Sequence, residues 1–386
     1  MDLDAVKRSL VAWIDQHGSE VLAVAEELYR NPETGLKEVR SSALLAEFLE
    51  REGFRVDRGV ADLPTAFRAE FGCGPLTIGL IVEMDALPVM GHACGHNVIA
   101  AASLGAAAAL RHLLPAEAAR LVVLGTPAEE LGIGKVEMIR HGLFDDVDFV
   151  MMVHPSSRRY VVKHYLGLAK VRFSFQGRPA HAAAYPEEGV NALDAVIQTF
   201  NGVNALRQQL RQDVRIHGII TDGGVAPNII PERAAAYFYV RADDLAMLDQ
   251  AKRRLIACAE GAALATGCRL HVEEDPRVLA PLRVNHAFSA LYAAQLAWLG
   301  LPMAETDPNR NKGSSDIGNV SQLVPTIHPH VPIGDGINIH SEDFARATVS
   351  EHGKAAVIEG ATALALTAAE LVLRPEVREE IAAEFS

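Results

Sequence analysis

The chain has 386 residues, 49% hydrophobic and 22% charged, with four cysteines. That composition belongs to a folded protein of two or three domains and excludes a disordered, collagenous or disulfide-framework chain. Thirty-six basic against forty-nine acidic side chains leave a net charge of −13, so neither a nucleic acid nor an anionic membrane is expected as a partner.

The N-terminus, MDLDAVKRSLVAWIDQHG, carries early acids and no long apolar stretch, unlike a secretory leader. Few cysteines and no bonded framework point to a reducing, cytoplasmic setting. Residues 4–29 repeat apolar side chains at helical spacing, and Asn31-Pro32 stops them. A second helix is predicted over 41–50. Strands follow at 54–60, 65–71 and 76–83; the last, LTIGLIVE, is nearly all apolar, as a strand covered on both faces should be. The Ala- and Gly-rich run 98–110 is too short to span a bilayer and reads as a buried helix starting near Asn97. Strand 120–126, a helix near 136–141 and strand 148–153 complete an α/β pattern with helices on both faces of a sheet.

The texture then changes. Strand 168–175, helix 190–210, strands 215–221 and 234–241, helix 244–266 and strand 269–273 follow in the order β-α-β-β-α-β, that of a ferredoxin-like domain. Helices at 286–299, 316–323 and 351–373 complete the first domain. The expected organisation is therefore 1–166 and 277–386 as one domain, interrupted by 167–276 as an inserted smaller domain.

Three strand ends carry the chemistry. EMDALPVMGHACGHN places Glu83, Asp85, His92, Cys94 and His96 after one apolar strand, where open α/β sheets keep their ligands. PAEE places Glu129 and Glu130 after the next, and His154 follows a third. Carboxylate, thiolate and imidazole converging on one sheet edge form a donor set for divalent transition metals. Taken singly, His154 is an ordinary packed histidine, the two glutamates a solvated loop and Cys94 a buried hydrophobe; the joint pattern favours metal. A structural zinc site is disfavoured, because no second Cys/His pair has finger spacing.

EMDALP, GHACGHN, PAEE and HP together resemble the amidohydrolase branch of the aminoacylase and glutamate-carboxypeptidase metallopeptidases. That group includes hydrolases of hippurate, indole-acetyl amino acids and aminobenzoyl-glutamate. GRPAHAAAYPEEGVNAL, APNIIPE with a later Arg241, GSSDIGNVSQLVP and a late HSEDF extend the resemblance over nearly the whole chain. It implies a two-metal catalytic domain with an inserted lid that pairs with a second copy. It also implies hydrolysis of an N-acyl amino acid or dipeptide-like amide, with dipeptidase, carboxypeptidase or aminobenzoyl-glutamate hydrolase activity as the alternative. A metal-binding protein without catalysis is the competing class, disfavoured because Glu129 and every expected donor type are present.

The resemblance also implies roles. Cys94 binds or bridges two divalent ions, zinc or manganese first, cobalt or nickel next. His96, Glu130, His154 and His340 are further ligands; His328 and His330 compete with His340 on chemistry alone. Asp85 orients a ligand and Glu129 is the general base, with the two adjacent glutamates expected to point oppositely from an extended loop. His181 stabilises the oxyanion, often from the partner subunit. Asn228 binds the substrate amide and Arg241 its carboxylate, while Gly313 and Ser314 offer backbone N–H groups. In the same loop, a cap on the following helix is the alternative reading for Asp316. Two departures bear on substrate choice: Asn97 stands where most members have Asp, and the strand reads Val-Glu-Met-Asp rather than Arg-Ala-Asp-Met-Asp. Asn97 is also a candidate helix cap.

Overall fold

The computed structural model describes residues 2–304 and 313–385. They divide into two compact units, Met1–His164 with Leu282–Ser386, and Tyr165–Pro281.

The larger unit begins with α1 (Leu3–Arg30), α2 (Val39–Arg51), β1 (Arg55–Arg58), β2 (Phe67–Phe71) and β3 (Thr77–Glu83). It continues through α3 (His96–Leu113), β4 (Arg120–Thr126), α4 (Gly134–Arg140), β5 (Phe149–Met151) and β6 (His154–Ser156). Its sheet runs β1-β2-β4-β3-β5 and closes on β11 (Thr326–Ile327). Only β2 runs against the rest, so the sheet is mixed. Side chains alternate between two apolar cores, as a strand's period of two requires. Ile78, Leu80 and Val82 join one core, and Ile81 the other. Helices α1, α3 and α10 (Glu351–Leu373) cover the first face, with α7 (His286–Trp298). Helix α4 and α8 (Ile317–Ser321) cover the second. Helix α10 is long and apolar enough to cross a membrane, yet fifteen of its residues are buried within this fold.

The smaller unit holds β7 (Gly167–Gln176), α5 (Ala192–Leu206), β8 (Arg215–Asp222), β9 (Arg233–Ala242), α6 (Leu245–Thr266) and β10 (Arg269–Glu274). Its antiparallel sheet has the order β10-β7-β9-β8, the ferredoxin-like arrangement. Asn191 and Asp244 cap its helices, accepting from Leu193 N and Asp194 N and from Met247 N. The Asn191 cap explains why α5 starts at Ala192.

The predicted strand 148–153 is observed only over Phe149–Met151. The chain after it forms β6, which pairs in parallel with β12 (His330–Pro332) in a separate ribbon. Two polar helices escaped the periodicity reading, α9 (Glu342–Ala347) and α11 (Pro375–Phe385).

Candidate metal centre

The parallel strands end together. Glu83 at the end of β3 lies opposite Thr126 at the end of β4, and Leu80 opposite Met151 of β5. The loops leaving these ends bring the candidate residues together. Gly95 makes the closest approach possible: its φ is +85°, and a Cβ there would stand 2.3 Å from Pro155 Cγ. Only glycine lets the Cys94–His96 loop pack on the His154-Pro155 segment.

Two groups of three donors meet at Cys94. Cys94, His96 and His154 form one, with donor atoms all within 4.8 Å of one another; Cys94, Glu130 and His340 form the other. Cys94 belongs to both. Each group combines a buried thiol with imidazole or carboxylate, the donor set for which zinc-type ions are suited. His96 Nδ1 donates to the Asp85 backbone oxygen at 2.7 Å and to its Oδ1 at 3.0 Å. His154 Nδ1 donates to the Pro155 oxygen at 2.7 Å. Both rings therefore turn Nε2 towards the centre, fixed as ligating histidines usually are. His154 Nε2 lies 3.6 Å from Cys94 Sγ. His96 Nε2 and Glu130 Oε1 are buried with no hydrogen-bond partner. Orphaned acceptors of this kind fit a bound cation.

The glutamate pair is held differently from the extended loop expected. Ala128 has φ +54°, and Glu129–Leu131 form a 3-10 turn. The strained turn is stabilised from below: Ala128 N donates to Glu38 Oε1 at 2.8 Å, and Thr65 donates to Glu38 Oε2 at 2.9 Å. Glu130 N donates to Asp85 Oδ2 at 3.0 Å, so Asp85 holds both His96 and Glu130. Glu129 Oε2 lies 3.7 Å from His96 Nε2. His340 takes φ +63°, donates its backbone N to the Ala93 oxygen at 2.9 Å, and sets Nε2 3.7 Å from Glu130 Oε1. His328 and His330 pack against His154 instead, the first edge-on and the second stacked, with ring centroids 5.4 and 5.1 Å away.

Burial pushes the Cys94 thiol well above its ordinary range. Burial, with Lys163 and His96 nearby, pulls His154 down to about 3, leaving it neutral and able to bind metal. Burial and then the Glu83 and Asp316 charges raise Glu129 well above the usual carboxylate range. Burial alone would lower His96, but the Cys94, Asp85 and Glu83 charges outweigh it and raise it.

Sequence reasoning missed Lys135. Its ammonium is fully buried, 2.6 Å from Glu83 Oε1 and 2.5 Å from Asp316 Oδ1. Asp316 Oδ2 also accepts Lys135 N at 3.0 Å. Asp316 stands at the N-cap position of α8, but its side chain makes no cap hydrogen bond and is engaged by Lys135 instead. Asn97 is not a cap either. Gly95 takes the cap position of α3, and buried Asn97 Nδ2 donates to the Ala25 oxygen and Thr348 Oγ1 at 3.2 and 3.1 Å. Gly313 and Ser314 sit half-buried in the loop before α8.

The remaining candidates belong to the smaller unit. His181 is exposed, and its Nδ1 accepts from Ala183 N and Ala184 N at 3.3 and 3.2 Å. It bridges to Ile229, and Ala182 N donates to the Asn228 oxygen at 3.0 Å, so His181 and exposed Asn228 are neighbours. Arg241 is near the other end of β9, 3.4 Å from His217 Nε2. From Arg233 to Arg241 at about 3.3 Å per residue is roughly 26 Å, too far for one small molecule to reach both ends.

Comparison with known proteins bears on the family and the fold. Residues 166–266 match the family model described as a peptidase dimerisation domain. Xaa-Arg dipeptidase of Mus musculus is 37% identical over 400 aligned residues, covering 100% of this chain and 93% of that protein. One of the p-aminobenzoyl-glutamate hydrolase chains of Escherichia coli K12 is 33% identical, covering 72% of this chain and 62% of that one. Among solved structures, a dinuclear metal-binding M20-family peptidase of Bacillus subtilis superposes with a TM-score of 0.73 at 18% identity, covering 92% of this chain and 99% of that one. The mixed α/β fold with an inserted domain is thus shared.

Proposed function

The chain belongs to the M20 peptidase family, and from that premise we propose that it is a two-metal dipeptidase that also accepts N-acyl amino acids. It is a metal-dependent hydrolase of amide bonds. The two-metal reading is carried by one observation, the pair of three-donor groups that meet at Cys94. Cys94, His96 and His154 would hold one divalent ion, and Cys94, Glu130 and His340 the other. Zinc and manganese are the first choices, with cobalt and nickel compatible with thiolate and imidazole donors. When bound, two such ions polarise a scissile carbonyl and acidify a water.

The protein groups do the rest. Glu129 receives the attacking water's proton on its carboxylate and passes it to the departing nitrogen. Asp85 keeps His96 and Glu130 in place. His181, with Nδ1 accepting, carries its proton on Nε2 and offers it to the developing oxyanion. Asn228 contacts the substrate amide, Arg241 its carboxylate by a forked pair of hydrogen bonds, and Gly313 and Ser314 contribute backbone donors. The length of β9 supports a division of labour in a homodimer: His181 and Asn228 come from one copy and Arg241 from the other. Edge strand β8, with exposed Ile219 and Ile220, supports pairing through the inserted unit. Four free cysteines support a cytoplasmic setting.

The similarity to a dipeptidase for Xaa-Arg, and a net charge of −13 that attracts cations, make dipeptides ending in arginine the first substrates to test. Zinc- or manganese-loaded protein assayed on dipeptides ending in Arg, Leu or Glu, on N-acetyl amino acids and on p-aminobenzoyl-glutamate should act fastest on dipeptides. Glu129→Gln should keep its metal and lose turnover by at least about 10²-fold. Hydrolysis of none of these, or an equally active Glu129→Gln enzyme, would contradict the reading.

A further inference from the structure

We propose that Glu83 is a further metal ligand, giving its Oε2 to the ion held by His96, and that Lys135 and Asp316 are positioning residues that aim it. This rests on the two-metal reading of the site.

The carboxylate of Glu83 is 1% exposed and closes β3. Its two oxygens have different surroundings. Oε1 accepts from Lys135 Nζ at 2.6 Å, and Lys135 is itself pinned by Asp316 through both its ammonium and its backbone N. That anchors Glu83 at one oxygen. Oε2 is buried without a hydrogen-bond partner and lies 3.3 Å from His96 Nε2, itself buried and without one. His96 spends its Nδ1 proton on Asp85, so a neutral ring presents only a lone pair at Nε2. Two buried lone pairs facing each other at that separation repel unless a proton or a metal ion lies between them. Glu129 Oε2 closes the arrangement at 3.7 Å from the same nitrogen, and the donor atoms of Glu83, His96 and Glu129 all lie within 4.8 Å of one another.

A second proton on His96 would satisfy one acceptor; a metal ion satisfies several at once. The separation is right for an ion. Donors about 2.1 Å from one ion at a tetrahedral angle stand roughly 3.4 Å apart. Charge points the same way. Two carboxylates around one ammonium leave the Glu83–Lys135–Asp316 group with an excess negative charge, fully buried, on the side facing His96. Buried charge of that kind needs a counter-ion. Were Lys135 only neutralising a carboxylate, a single partner would serve. With two, its position is over-determined, as expected of a residue that aims a ligand.

Cobalt(II) titration tests this, because its visible spectrum reports the donors as well as the affinity. Wild type should take two Co²⁺ per chain and show a thiolate-to-cobalt charge-transfer band from Cys94. Glu83→Gln keeps an oxygen for Lys135 but loses the charge. It should keep the thiolate band, bind one of the two ions at least about tenfold more weakly, and shift that ion's ligand-field bands. Glu83→Asp keeps the charge beside Lys135 but withdraws the oxygen by one methylene. It should weaken the same ion, and it carries the test if Glu83→Gln does not fold. Unchanged affinity in both variants would overturn the proposal while leaving the two-metal centre standing. Weaker binding with unchanged ligand-field bands would also overturn it, by making Glu83 an indirect partner. A wild type that takes up no cobalt, or shows no thiolate band, would overturn the metal centre itself.

Discussion

The two units bury different things. In the smaller one, among the described residues, Thr199 is the single buried polar side chain, and its hydroxyl is satisfied by the Ala195 oxygen at 2.8 Å. Its candidate residues His181 and Asn228 are exposed, and Arg241 is half-buried. In the larger unit Glu83, Asp85, His92, His96, Lys135, His154, Asp316, His328 and His330 are all buried around the strand ends. Apolar burial stabilises a domain unaided, whereas buried charge costs stability unless it is paired or neutralised by an ion. One unit is built as a scaffold that presents groups at its surface. The other holds a prepared charge cluster whose stability and chemistry both depend on counter-charges.

The largest effect expected from this contrast is at Lys135. Lys135→Met strands two carboxylates in the interior and should destabilise the larger unit by about 3–5 kcal/mol, read as a fall in its denaturation midpoint. Thr199→Val in the smaller unit loses one satisfied hydrogen bond and should cost no more than about 1.5 kcal/mol. Equal losses at the two positions would erase the distinction.

A smaller effect sharpens it. If the exposed groups of one copy serve the metal centre of another, mixing a His181→Ala chain with a Glu129→Gln chain should restore activity. About half of randomly paired dimers are mixed, and each has one complete site, so activity should approach about one quarter of wild type per site. If His181 serves its own chain, every site in the mixture lacks one group and no activity returns.

Local chemistry made much of this legible in the sequence. The apolar run 78–82 announced a strand covered on both faces, and the structure splits its side chains between two cores. The β-α-β-β-α-β order announced the inserted sheet because each of its elements has its own period and cap. The thiol, imidazole and carboxylate donors announced themselves by type and spacing. What stayed hidden depends on distant partners. Lys135 opens a short helix and reads as a surface lysine; its partners are 52 and 181 residues away in sequence. The turn that splits Glu129 from Glu130 is held by Glu38, which lies 90 residues before Ala128. Asn97 looked like a cap because a left-handed Gly95 in that position cannot be inferred from residue type alone. The strand predicted over 148–153 ends at Met151, and after it β6 is recruited by β12, far along the chain.

The central claim is that one buried thiol, Cys94, joins two ion sites, and metal content tests it most directly. Protein loaded with zinc, passed through a weak chelator and analysed for metal should retain two equivalents per chain. The double variant Cys94→Ser with His96→Ala should retain at most one, since it removes the shared donor and one ligand of the first group. Two equivalents held as tightly by the double variant as by wild type would contradict the account.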